Sequence, residues 1–397
     1  MPEYLSPGVY VEEVPSAIQA IAGVGTSTAG IIGYVANNVS MPTGPDGEVY
    51  TKAPAGEPQL VTNWSEFKAN FGELDAGNKV LANAVYGFFN NGGTRCWVVR
   101  VTDLGASGGA DEDDQVAQAL TAFEAIDEIA IVAVPLPGED ERNVDKARRD
   151  VIRQLALAHC EAMQDRFAVL DGEGTVEGGF SPDTVYGGPA STNGYGAVYF
   201  PYIDVSGDGD YMPASGHIAG LYARVDSSRG VHKAPASEAI RGAFGAKYRL
   251  SKFHQDGLNP NGINVIRLFD GRPTVWGART IIGAGGKQEF NYVNVRRTLN
   301  FLRESIDEGT RWAVFEPNTP DLWQKITRNV SAFLTSSWRA GALFGATPEE
   351  AFYVKCDAET NPPDVRALGQ VVTEIGVSVV RPAEFVVFRI SQKPSAS

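Results

Sequence analysis

Between Cys96 and Tyr202 the chain alternates short apolar runs with amphipathic segments, and this alternation constrains the fold more than any other feature. Cys96–Val101, Ile129–Val134, Phe167–Leu170 and Ala197–Tyr202 are apolar runs too short for helices. Between them lie Asp111–Ile126 and Asn143–Gln164, the latter with Val151, Leu155 and Ala158 on one face. Strand, helix, strand, helix, strand calls for a parallel sheet with helices on its faces. The acids of Asp111–Asp114 fall in the first turn of the first helix, where the helix dipole favours them. Upstream, Ile31–Val35 reads as a strand, and Asn63 or Thr62 caps a short helix carrying Trp64 and Phe67. Residues 77–90 form a helix with Val80, Leu81, Ala84, Val85 and Phe88 on one side.

The two ends and the last third have a different texture. Pro2, Pro7 and Pro15 exclude a long N-terminal helix, and Val9 and Val11 alternate with Tyr10 and Glu12, so the first twenty residues read as an extended arm. Residues 41–59 and 172–194 are rich in Gly and Pro and read as loops, with a short helix expected over Pro213–Leu221. Gly262–Phe269 and Pro273–Ile282 are strands around Asp270-Gly271. Tyr292–Ile306 and Pro320–Leu334 are helices with apolar stripes. Trp312–Phe315, Ala351–Cys356, Val371–Val380 and Glu384–Ile390 read as strands, the last following Arg381-Pro382 as a second arm.

At 397 residues the chain has room for two or three domains. It carries 48 acidic and 34 basic residues, a net charge of −14, which excludes a general basic wrapper of nucleic acid. Residues 1–240 hold 33 acids and 14 bases, while residues 241–397 hold 15 and 20. Three scattered cysteines make neither a disulfide framework nor a metal motif. No apolar run is long enough to span a membrane, and MPEYLSPGVYVEEV has no secretory pattern.

Chemistry-bearing motifs are absent. The four histidines form no HExxH or HxH pattern, and no GxSxG elbow accompanies His232 and Ser237. Gly283–Lys287 lacks the spacing and hydroxyl of a phosphate loop and reads as a turn. Asp111–Asp114 lacks the spaced ligands of a calcium loop and reads as a solvated helix start. No cofactor, metal or catalytic residue is nominated. Arg296, Arg297, Arg303, Lys325, Arg328 and Arg339 line the two late helices, interspersed with Glu289, Glu304, Asp307 and Glu308. Without a stacking motif, this pattern suits an acidic protein surface better than nucleic acid.

Several segments carry a resemblance, in order and with matching spacing. They are SPGVYVEEVPS (6–16), FFNNGGTRCWVVRV (88–101), GLNPNGINVIRLFDGRPTVWGARTI (257–281), YVNVRR (292–297), WAVFEPNTPDLWQKI (312–326), AFYVKCDAETNPP (351–363) and RPAEFVVFRI (381–390). The chain thereby resembles the contractile tail sheath proteins of phages and extracellular contractile injection systems; residues 103–256 are less distinctive. The resemblance implies an α/β chain with an α+β core, the conserved core being built from both chain ends with an outer α/β domain inserted. Its divisions would be an arm over 1–20, the outer domain over 21–250, the core over 251–382, and a strand arm over 383–397.

The resemblance also implies a structural role and no enzymatic one. The chain would pair with itself in a six-start helical sheath of hexameric rings, around an inner tube, between a baseplate and a terminal cap, without nucleic acid or membrane insertion. Assembly would be cytoplasmic, and the mature sheath would sit in a virion tail or a released particle. The basic late part would lie inward, with Arg296, Arg303, Lys325 and Arg328 as tube contacts. Val9, Tyr10 and Val11, and Phe385, Val386, Val387 and Phe388, would be the strands that link neighbours. Trp276, Trp312 and Trp323 would anchor the core. The competing readings are an α/β hydrolase or nucleotide-dependent enzyme, which requires a cleft of titratable groups, and a non-contractile shell protein.

Overall fold

The computed structural model describes residues 20–42, 50–105, 114–138, 144–283 and 285–388. The chain forms two compact units. The large one comprises Val24–Glu304 with Val379–Ser397, and the small one Met1–Gly23 with Ser305–Ser378.

The large unit is organised by one sheet. Its first strands are β1 (Ala29–Tyr34), β2 (Gln59–Val61), β3 (Cys96–Val101), β4 (Ile131–Ala133), β5 (Phe167–Asp171) and β6 (Gly196–Phe200). Three short strands follow, β7 (Ile203–Asp204), β8 (Tyr211–Met212) and β9 (Glu238–Ala239), then β10 (Gly245–Ala246), β11 (Ile263–Phe269) and β12 (Arg272–Val275). The nine-stranded order is β2-β3-β1-β4-β5-β6-β11-β12-β9, while β10-β7-β8 form a separate small sheet. β3, β1, β4, β5, β6 and β11 run parallel; β2, β12 and β9 close the two sides antiparallel.

Both faces of the parallel strands are covered, so alternate residues enter two different cores. Ile31, Val98, Phe167 and Tyr199 face one way, onto α1 (Trp64–Phe71), α2 (Lys79–Asn91) and α6 (Ser215–Arg229). Ile32, Val99, Ala168 and Val198 face the other, onto α3 (Gln115–Phe123), α4 (Lys146–Met163) and α7 (Lys252–Leu258). A short α5 (Pro182–Val185) interrupts the loop expected over 172–194, started by a Ser181 capping box. The β11–β12 hairpin turns through Asp270 and Gly271, both at positive φ, as two-residue hairpins require. Since β11 pairs with β6 at Ile263↔Val198, the sheet runs through the sequence boundary expected at 250.

In the small unit, α9 (Pro320–Arg339) buries Leu322, Trp323, Ile326, Val330, Phe333 and Leu334. A two-stranded antiparallel ribbon of β13 (Phe352–Lys355) and β14 (Glu374–Val377) packs with it, flanked by α10 (Pro348–Ala351) and α11 (Pro363–Ala367). The Asn361 side chain staples the long connection, donating to Val372 O at 3.0 Å and accepting from Val372 N at 2.7 Å. The boundary between units falls within α8 (Val293–Thr310).

Several sequence expectations change. α3 starts after the acids: Asp114 is its cap, taking the amides of Val116 and Ala117, and it is buried against Arg148 at 2.5 Å rather than solvated. Asp111–Asp113 lie outside the described residues. α6 runs eight residues past Leu221, because Gly216 and Gly220 are packing residues: a Cβ there would meet Ala84 and Phe88 of α2 at 2.5 and 2.2 Å. Trp312–Phe315 is no strand; Arg311–Ala313 form a 3-10 turn, after which Val314 and Phe315 are exposed, Phe315 at φ +66°. Of the three tryptophans, Trp323 is buried, Trp312 is half-buried and Trp276 is exposed, packed on Phe269. The turn at Gly283 forms as expected, with Gly286 N donating to Gly283 O.

Candidate assembly site

The C-terminal arm leaves the large unit at a dense polar cluster. The Glu384 carboxylate accepts from Arg279 Nε at 2.9 Å and Nη2 at 2.8 Å, from Asn259 Nδ2 at 2.6 Å and from Tyr292 OH at 2.8 Å. Burial alone would raise this carboxyl, but the donors from Arg279, Asn259 and Tyr292 hold it below its usual range. Four residues upstream, Asn294 Nδ2 donates to Val380 O at 3.0 Å and to His232 O at 2.8 Å. Asn259 follows α7, Arg279 lies beyond β12 in a bridge with Tyr292, Tyr292 immediately precedes α8, and Asn294 is in its first turn.

Immediately beyond Glu384 the side chains lose cover. Phe385, Val386, Val387 and Phe388 are exposed by 70–83%. Of the strand expected over Glu384–Ile390, residues 384–388 form none and pair with no strand among the described residues, and 389–390 lie outside them. Val9, Tyr10 and Val11 lie outside the described residues.

The described N-terminal segment is also tied down. In the small unit, Ile21 packs on Gly309 so closely that a Cβ on the glycine would meet it at 2.6 Å. In the large unit, Arg297 makes a bidentate pair with Asp226 at 3.0 and 2.7 Å and donates to Thr26 O at 2.9 Å, while Thr26 Oγ1 donates to Asp226 at 2.7 Å. The guanidinium also lies over the Tyr222 ring. Arg297 and Asp226 are fully enclosed, so each satisfies the other in a place where an unpaired charge would be costly.

The structure separates the four tube-contact candidates. Arg296 is buried between the Tyr195 and Phe290 rings, 4.5 Å from each, with Nε donating to Asn300. Its charge is held within the subunit by cation–π packing, which leaves it buried rather than presented as a tube contact. Arg303, in the large unit, is exposed and donates to Gln164. Lys325 and Arg328 share the solvent side of α9, where Lys325 pairs with Asp321 at 3.0 Å. The charge split also dissolves: residues 305–378 hold ten acids and six bases, while residues 241–304 hold four acids and eleven bases. The positive excess therefore belongs to the large unit, where Arg279, Arg296 and Arg297 have internal roles.

The place where an α/β sheet usually takes a ligand is the crevice at its topological switch point, here between β1 and β4. A cavity of 360 Å³ lies there, lined by Tyr34, Ala76, Asn78, Lys79, Val80, Pro135 and Pro137. Its cation, Lys79, is paired with Asp210 at 2.7 Å. Among the described residues no group of three or more His, Cys, Asp or Glu is placed to hold a metal, and no helix is long and apolar enough to cross a membrane.

The Glu384 cluster was not nominated from the sequence. Its members stand at 259, 279, 292 and 384, spread over three separate motif blocks; the only hint was that those blocks kept their order and spacing.

Comparison with known proteins places these features. Residues 109–281 match the phage tail sheath protein central domain, and residues 287–393 match the phage tail sheath C-terminal domain. The tail sheath protein of Vibrio phage KVP40 is 28% identical over 180 residues, 44% of this chain and 26% of that protein. The chain spans less than half the length of the curated relatives it matches. Solved structures align over nearly all of it. A chain of the anti-feeding prophage helical sheath in the contracted state matches with a TM-score of 0.74 at 27% identity, covering 98% of this chain and 100% of that one. A chain of the sheath complex of an extracellular contractile injection system, PVC, also in the contracted state, matches with a TM-score of 0.74 at 26% identity, covering 99% of both. Matched by both domains of the phage tail sheath models and aligned end to end with sheath subunits, the chain belongs to the tail sheath protein family.

Proposed function

We propose that this chain is the structural subunit of a helical contractile sheath, which surrounds an inner tube and shortens to drive that tube through a target envelope. The observation that carries the reading is full-length likeness to sheath subunits, including the segments from which both arms emerge. Its role is mechanical rather than catalytic. The subunit core is built from both chain ends, and the large α/β body is the outer insertion. Copies assemble in six-start order as hexameric rings around the tube, between a baseplate and a terminal cap. Assembly is cytoplasmic, and the finished sheath belongs to a phage tail or a released injection particle.

The links between copies are strands. Val9, Tyr10 and Val11 of one arm, and Phe385–Phe388 of the other, add to open sheet edges of neighbours. The β13–β14 ribbon suits such additions, since no further strand pairs with it among the described residues. Main-chain hydrogen bonds carry an augmented strand, so the link tolerates a change of lattice better than a side-chain jigsaw would. Arg303, Lys325 and Arg328 are the proposed tube contacts. The test is electron microscopy of the chain co-expressed with its tube protein. Hollow cylinders of two diameters are expected; a stable monomer that never forms cylinders would overturn the reading.

A further inference from the structure

We propose that Glu384 is the positioning residue of the C-terminal arm, an anchor through which pull on the arm enters the central sheet of the large unit. The proposal rests on the sheath reading. Residues 305–378 belong to the small unit, yet from Val379 onward the chain returns to the large one. The arm therefore starts where Glu384 holds it. The change there is abrupt: Glu384 is bonded by three side chains, and the next four residues are exposed.

The anchor leads inward through hydrogen bonds. Arg279, which grips Glu384, is fixed through its own peptide by Asn264 on β11: Arg279 N donates to Asn264 Oδ1 at 2.7 Å, and Asn264 Nδ2 donates to Arg279 O at 2.7 Å. Asn264 is fully buried and also donates to Val198 O of β6 at 3.1 Å. A load on the arm is thus passed from carboxylate to guanidinium, to the buried amide, to two neighbouring parallel strands. Charge-assisted bonds at the outer end are about twice as strong as neutral ones, which suits the point of first strain.

The chemistry makes the carboxylate specific. Arg279, Asn259 and Tyr292 all present donors, and a carboxylate accepts on both oxygens. A glutamine keeps the size but offers one acceptor oxygen and turns an NH2 toward these donors. Glu384→Gln is therefore expected to release the arm while leaving the core intact.

The experiment uses the full chain, alone and co-expressed with its inner tube protein, as wild type, Glu384→Gln and Arg279→Gln. Chymotrypsin cleavage at Phe385, the thermal midpoint and cylinder formation are measured together. Both variants are expected to be cut at Phe385 at least tenfold faster, to melt within a few degrees of wild type, and to form no cylinders. Unchanged cleavage overturns the proposal. So does faster cleavage with normal cylinders, or cleavage that spreads to the buried Phe167 and Phe200, which would make the cluster a general stability element. Absence of cylinders from the wild type would count against the sheath reading instead, and the cleavage rates would then judge the anchor by themselves.

Discussion

The two units pair their charges in different ways. In the large unit, Arg148–Asp114, Arg149–Glu173 and Arg297–Asp226 pair at 2.5–2.7 Å with their side chains enclosed. In the small unit, Arg311–Asp307, Lys325–Asp321 and Lys355–Glu359 are exposed pairs one helical turn or a short loop apart. Both units expose large apolar side chains, the large one at Phe244, Phe253 and the arm residues Phe385–Phe388. The small unit leaves Val314, Phe315, Phe344, Tyr353, Leu368 and Val372 exposed, and its ribbon has two strands among the described residues. A two-stranded ribbon is marginal alone, and large exposed apolar residues mark surfaces that meet partners. The large unit's nine-stranded sheet is covered by helices on both faces, whereas the small unit's described ribbon stops at two strands.

The largest expected effect separates folding from assembly. Deleting residues 1–14 or 385–397 should abolish cylinders while leaving thermal unfolding of the monomer nearly unchanged. Beyond Glu384 the described arm residues touch little: Phe385–Phe388 are exposed. Normal sheaths from either truncation would break the separation between a chain that folds by itself and arms that serve assembly.

Within the large unit, the buried pair is the sharpest probe. Arg297→Met leaves Asp226 enclosed without its cation, which should cost about 3–5 kcal/mol in denaturant unfolding. The double variant Arg297→Met/Asp226→Leu should recover most of that loss, since an apolar replacement of both partners removes the stranded charge. In the small unit, Lys325→Ala should cost under about 0.5 kcal/mol, as for other exposed pairs one turn apart. Similar losses at the two sites would erase the distinction.

Acid should act on the large unit through His217. This imidazole is fully buried in α6, and burial lowers its pKa from 6.5 to about 4. A depressed folded pKa favours the neutral ring, so its contribution is present above pH 6.5 and lost as pH falls through 4. The loss approaches about 3 kcal/mol in the low-pH limit. Asp171 works the other way: burial raises it to about 6, so its contribution is fully present at low pH and is lost as pH rises through 6. The two overlap, so the His217→Gln variant is needed to isolate the histidine. The stability difference between wild type and variant should shrink as pH falls from 7.5 to 4.5; a difference independent of pH would mean that the ring does not titrate as buried.

How far these contrasts could be read from residues alone depends on the range of the interaction. The β/α alternation from Cys96 to Tyr202 was legible because strands buried on both faces are apolar throughout, and that signal is local. The start of α3 was misplaced because Arg148, 34 residues away, turns Asp114 into a buried cap. Arg296 read as surface charge because nothing local announces the rings of Tyr195 and Phe290. α6 read as short because Gly216 and Gly220 look like breakers until α2 is set against them. The Glu384 anchor joins residues up to 125 positions apart, each unremarkable in its own segment. What periodicity encodes was recovered; what single long-range polar contacts encode was not.

The smallest expected effect tests the small unit's solvent side. Lys325 and Arg328 stand three residues apart on α9, opposite Leu322, Ile326 and Val330, so one helix face presents both cations. Reversing both to Glu should leave the fold intact, because neither side chain is buried. Since residues 305–378 are net acidic, the total charge of this stretch would not draw it to an acidic tube, and its proposed contribution rests on this local pair. The reversed variant should therefore load onto the tube less well at low salt, and the deficit should narrow as added salt screens the contact. Loading on the tube is measured by co-sedimentation across a salt series. A deficit that ignores salt would point to lost shape complementarity, and unchanged loading would leave the apolar residues around Phe315 as the surface through which the small unit is completed.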